Sequence, residues 1–136
     1  MKKISIISII TLFVAFSFSS YAKDGKEKKV VAKFQETVDN AAPDDWYTLA
    51  ECADICLRKK INCKEVSIWL DESLKIKETP FNLEVKGDYY VANNLPEKAG
   101  DYYLKAIFLG IEEDSNFDAS GLQTKIAKLI NLKINN

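Results

Sequence analysis

The sequence predicts an all-α domain, and three observations carry that prediction. Apolar residues recur at three- and four-residue spacing in six successive segments, as they do in helices that each bury one face. No alternating run of β-branched residues lies beyond the first 22 positions, so strands have no signal. Glycine and proline number only 5 and 3 in 136 residues, too few for a loop-rich β-sandwich or a disordered linker.

The amino terminus reads as an address. Met1-Lys2-Lys3 is a short positive region, Ile4 to Phe18 is an apolar run broken by Ser5, Ser8, Thr11 and Ser17, and Ser20-Tyr21-Ala22 places small residues at −3 and −1 of a cleavage site. This is the layout of a secretory signal peptide over residues 1–22. A retained membrane anchor is the competing reading, because the apolar run approaches spanning length. Cleavage leaves 114 residues, enough for one core, and a periplasmic or secreted location is expected.

The helices follow in order. Residues 23–29 form a charged lead-in expected to fray. Val30, Val31, Phe34, Val38 and Ala41 then mark a first helix, ended by the stretch 40–43. Asp44 or Asp45 caps a second helix, which buries Leu49, Ala53, Cys56 and Leu57 and closes at Arg58-Lys59-Lys60. Asn62, with Glu65 three residues on, is expected to cap a third helix bearing Val66, Trp69, Leu70, Ser73, Leu74 and Ile76. Thr79-Pro80 opens a fourth, with Leu83, Gly87, Tyr90 and Val91, ended by Asn93-Asn94. Leu95-Pro96-Glu97 opens a fifth, with Ala99, Tyr102, Tyr103, Ala106, Ile107 and Leu109, which Gly110 is expected to terminate. After an acidic loop, a last helix starts near Ser120 and carries Leu122, Ile126, Leu129 and Ile130. Its Lys125, Lys128 and Lys133 are expected to face solvent.

Two of these helix pairs repeat. Leu49, Ala53 and Cys56 match Leu83, Gly87 and Tyr90 at a spacing of 34, and Val66, Leu70, Ser73 and Ile76 match Ala99, Tyr103, Ala106 and Leu109 at 33. A period near 34 with small residues at helix crossings belongs to helix–turn–helix arrays. On these residues the segment 43–111 resembles tetratricopeptide repeats. The second copy follows the family pattern in order, whereas the first has Ser73 at an alanine position and Cys56 at an aromatic one. The resemblance implies a short array of antiparallel helix pairs, with residues 23–42 and 112–136 contributing flanking capping helices, because two repeats bury too little alone. It also implies a partner-binding groove built from Tyr47, Ala50, Asp54 and Leu57 of the first copy and Phe81, Glu84, Asp88 and Val91 of the second.

Composition removes many functions. The absence of histidine excludes Ser-His-Asp and Cys-His catalysis, His-ligated zinc and proximal-His haem. With 19 Lys+Arg against 20 Asp+Glu, no basic surplus exists to drive nucleic-acid binding. Asp114, Asn116 and Asp118 imitate the opening of a calcium loop, but Ala119 and Lys125 stand where glycine and glutamate are required. A polar helix-capping loop is the better reading, and no cofactor or metal is expected. Cys52 and Cys56 lie one helical turn apart, a poor geometry for bonding to each other. Cys56 and Cys63 are the candidate disulfide, with free buried thiols as the alternative.

The reading that follows is a non-enzymatic module that binds a protein or peptide with a basic segment, with no nucleic acid and no lasting membrane anchor. The alternatives are a small exported enzyme or ligand-binding protein that uses carboxylates, and a purely architectural adaptor. Intact-mass analysis of exported material should show loss of residues 1–22 and a new terminus at Lys23. Full-length chain in the membrane fraction would refute cleavage.

Overall fold

The computed structural model describes the backbone of residues 25–134 and the side chains of that range up to Asn131. The signal peptide expected over 1–22 lies outside the described residues, as does the side chain of Lys133. Among the described residues, 25–36 fall in one compact unit and 37–134 in another. Helix α1 covers 25–39. The lead-in is thus helical from residue 25, since its lysines and glutamate are good helix formers with nothing to break the turn. None of residues 25–39 is fully buried.

Five further helices follow: α2 (Trp46–Arg58), α3 (Val66–Ile76), α4 (Pro80–Ala92), α5 (Pro96–Glu113) and α6 (Ser120–Ile134). No strand occurs among the described residues. α2 packs on α3 and α4 on α5; α2 and α4 also lie against each other, α3 meets α4, and α5 meets α6. No described helix is long and apolar enough to cross a membrane.

The spacing of 34 is realised at both ends of α2 and α4. Asp45 accepts the Thr48 N–H at 2.9 Å, and Thr79 accepts the Asn82 N–H at 3.3 Å. Each cap satisfies a backbone donor that has no partner inside its helix. At the other ends, Ile61 N–H reaches Cys56 C=O and Leu95 N–H reaches Tyr90 C=O, both at 2.9 Å. Lys60 N–H bonds Leu57 C=O and Asn94 N–H bonds Val91 C=O, at 3.1 and 3.0 Å. These are Schellman closures, and they require a left-handed residue; Lys60 and Asn94 supply it, at φ 53° and 57°.

Two expected boundaries are corrected. Asn62 does not cap α3. The chain is still turning there, with Cys63 N–H on Ile61 C=O, and the helix starts at Val66 with no side-chain cap. Gly110 does not end α5, which runs on to Glu113. Its hydrogen takes the place a side chain would claim, because the Phe117 ring folds back to within 2.5 Å of where a Cβ would stand.

The core matches the repeated positions. Leu49 and Leu83, Ala53 and Gly87, Val66 and Ala99, Leu70 and Tyr103, and Ser73 and Ala106 are all buried. At the remaining repeated positions Cys56 is buried, Tyr90 and Leu109 are half-buried, and Ile76 is exposed at the end of α3. Leu83, Ala99, Tyr103, Ala106, Leu122 and Leu129 join α4, α5 and α6 into one apolar cluster. The buried polar groups at the α2–α3–α4 junction satisfy one another. Ser73 Oγ donates to Trp46 C=O (2.7 Å) and accepts from Asn82 Nδ2 (3.0 Å), which also donates to Lys77 C=O (2.7 Å). Asn82 Oδ1 accepts the Thr79 N–H at 2.8 Å. Truncating Asn82 would leave several of these groups buried and unpaired.

A Cβ at Gly87 would run into the Tyr103 ring. Gly87→Leu should therefore cost roughly 1–3 kcal/mol or more in chemical denaturation. Gly121→Ala, at a position with nothing within 4 Å, should change stability far less. An unshifted Gly87→Leu midpoint would refute the tight α4–α5 crossing.

Candidate functional site

The neighbouring faces of α2 and α4 bring equivalent residues of the two helices together. Tyr47 stacks on Phe81 with ring centroids 5.5 Å apart and an interplanar angle of 30°. Trp46 meets Tyr47 edge-on at 5.7 Å. Tyr47 is 48 % exposed, so the stack offers apolar surface to solvent. Its hydroxyl donates to Glu51 Oε1 at 3.3 Å, and the charge of Glu51 raises the phenol above its ordinary value.

Beyond the aromatic pair lies a knot of charge. Asp54 pairs with Arg58 Nε at 2.8 Å. Burial nevertheless holds its carboxyl above the usual range, against the pull of Arg58 and Lys125 and with the nearby charge of Asp88 adding to the shift. Asp88 accepts Tyr103 Oη at 2.6 Å. Lys125 of α6 donates to both Asp88 oxygens, at 2.7 and 2.6 Å, and pairs with Glu84 Oε1 at 2.8 Å. Burial pushes the Tyr103 phenol up, and its bond to Asp88 adds to the effect.

This geometry changes the reading of Lys125. Expected on a solvent face, it is half-buried, and Glu84 and Asp88 already hold a cation supplied by their own chain. A signal was present in the sequence: Lys125 falls three residues after Leu122 and four before Leu129, on the side of α6 that packs inward. Lys128 is exposed as expected.

The other groove positions divide. Leu57 is half-buried and Val91 is exposed on the same helices. Ala50 is fully buried and offers no surface to a partner. Cys56 is buried, Cys63 is intermediate, and both are free thiols.

Two features went unread in the sequence. Lys86 is 2 % exposed, with its ammonium 2.7 Å from Asp71 Oδ1 and 5.0 Å from the Tyr89 ring centroid. Its place between Leu83 and Tyr90 on one helical face was the available clue. Leu104, Phe108 and Ile111 form an exposed apolar line along α5, with Phe108 at 69 %.

Among the described residues no group of three or more His, Cys, Asp or Glu side chains could hold a metal ion. No protein-family model matches the chain, and neither a curated protein nor a solved structure is significantly similar to it.

Lys125 provides a pH test. Burial alone would lower its pKa, but the hydrogen bonds and charges of Asp88 and Glu84 outweigh burial and raise it above the ordinary 10.5. With the folded value above the unfolded one, the stabilisation is complete below 10.5 and is lost as pH rises through the folded value. Lys125→Gln should cost about 1–2 kcal/mol at neutral pH, between the values for exposed pairs and for bonds to buried charges. The gap from wild type should close in alkaline melts, and a gap independent of pH would refute the ion-pair account.

Proposed function

We propose that this chain is a tetratricopeptide-like module that acts after export and binds a protein or peptide segment across the faces of α2 and α4. The observation that carries the reading is the Tyr47–Phe81 stack: two aromatic residues at equivalent positions, in contact and in part open to solvent. Aromatic anchors of this kind contribute disproportionately to binding. The matched caps and Schellman closures 34 residues apart support the repeat assignment.

The charges along the same face favour a basic partner. Asp88 and Glu84 are already joined to Lys125, so the chain's own side chain does there what a partner's lysine or arginine would do. Asp54 is ion-paired within its own helix, to the largely exposed Arg58. A partner cation therefore meets Asp54 by displacing Arg58, and its apolar neighbours lie against Tyr47 and Phe81. Such an arrangement recognises an extended or helical segment through one or two basic residues flanked by aliphatic ones.

Selection of a random peptide display library on the immobilised chain tests the proposal. Wild type should enrich basic–aliphatic peptides. Tyr47→Ala, with an unchanged helical spectrum, should weaken the selected peptides about tenfold or more, as loss of an aromatic anchor does. Failure to enrich any peptide, or equal binding by the folded variant, would overturn the reading.

A further inference from the structure

Two free thiols, Cys56 and Cys63, flank the turn between α2 and α3. The Schellman closure carries the chain back over the end of α2, with Ile61 N–H on Cys56 C=O at 2.9 Å and Cys63 N–H on Ile61 C=O at 2.9 Å. This brings Cys63 back beside the end of α2 that bears Cys56, and each thiol influences the titration of the other. Cys63 in turn donates to Glu65 Oε2 at 3.3 Å. Both cysteines line a cavity of about 610 Å³ whose wall also includes Lys60, Asn62 and Lys64. Cys52 is not an equal competitor. It is buried in the same helix one turn from Cys56, and the helix holds such Cβ atoms about 5–6 Å apart, beyond the ~3.5–4.5 Å that a disulfide needs.

We propose that Cys56 and Cys63 form a reversible dithiol–disulfide clasp, closed by exchange with a small anionic disulfide that enters between Lys60 and Lys64, while Cys52 remains a buried thiol. Cys63, the more accessible of the pair, loses its proton to solvent or to Glu65, and its thiolate attacks one sulfur of the incoming disulfide. That S–S bond breaks, one reagent thiolate leaves, and a mixed disulfide remains on Cys63. Cys56, deprotonated in its turn, attacks the Cys63 sulfur and expels the second reagent thiolate. The two cysteines are oxidised by two electrons, and the reagent is reduced to two thiols that take up the two protons. Burial pushes the Cys56 thiol up to about 12 and raises Cys63 as well. Closure therefore quickens as pH rises, in step with the thiolate fraction. The oxidised chain has a short loop cross-linked at the α2–α3 turn, which restricts the unfolded ensemble and raises the melting temperature. The clasp does not depend on whether the α2–α4 face binds a partner.

Oxidised glutathione is the probe. The purified chain is equilibrated with mixtures of oxidised and reduced glutathione, quenched by alkylation and digested with trypsin. Cleavage after Arg58, Lys60 and Lys64 should release a disulfide joining the peptide that ends at Arg58 to residues 61–64. The same cross-link should form in Cys52→Ser, whereas Cys56→Ser should stop at a glutathione adduct on Cys63. The oxidised chain should melt roughly 5–10 °C above the reduced one, and added reductant should reverse the shift. Complete alkylation of Cys56 and Cys63 after equilibration with oxidised glutathione would overturn the clasp, as would loss of the cross-link in Cys52→Ser. A cross-link that forms with no rise in melting temperature would also overturn it.

Discussion

The close approach of Tyr103 to Gly87 is the constraint on which the rest of the α4–α6 region depends. A glycine in the middle of a helix weakens it, and α4 accepts that cost so that the Tyr103 ring can lie where a Cβ would stand. The ring's position sets that of its hydroxyl, which bonds Asp88 one residue further along α4. Asp88 in turn holds Lys125, and Lys125 passes 5.5 Å from the Tyr103 ring centroid. One missing side chain thus links the packing of α5 on α4 to the charge pattern beside the Tyr47–Phe81 stack.

A second polar junction plays the corresponding part at α2, α3 and α4. Ser73 stands where the second helix pair has Ala106, and this hydroxyl would be costly in a core without partners. Here it bridges Trp46 C=O and the Asn82 amide, and Asn82 also secures the turn that enters α4. Ser73, where the second pair has Ala106, thus marks a place where the two helix pairs are joined by hydrogen bonds as well as by apolar contact. Such a directional joint fixes the register of one pair on the next more strictly than methyl packing would.

The charge arrangement has a consequence for recognition. Two carboxylates on neighbouring helices repel, and a chain that left Asp54 and Asp88 without cations would bear that cost in its free state. Arg58 and Lys125 relieve it before any partner arrives. A basic partner of the kind proposed would gain only the difference between its own pairing and the one it displaces. On the proposed function, affinity on this face would rest more on the aromatic surface than on charge, while charge would govern which segments are admitted.

By itself, the sequence determined the all-α class, the second, fourth and last helices, the inner acid at Asp45 as one of two candidate caps, and most of the buried positions that repeat at 33 and 34 residues. These features are local: helical periodicity, proline at a helix start and cap chemistry act within a few residues. Only the tertiary structure decided the start of α3, the persistence of α5 through Gly110, the burial of Ala50, Lys86 and Asn82, and the ion pairs of Lys125. The start of α3 depends on where a Schellman closure leaves the chain. Gly110 is a stop signal in isolation, but it becomes a contact point once Phe117 folds back on it. Lys125 and Glu84 are 41 positions apart in the chain, and their pairing exists only because α6 is packed on α5 and α5 on α4. A lysine on a helix face reads as solvated unless something places a carboxylate opposite it, and that placement is made by the packing of helices far apart in sequence.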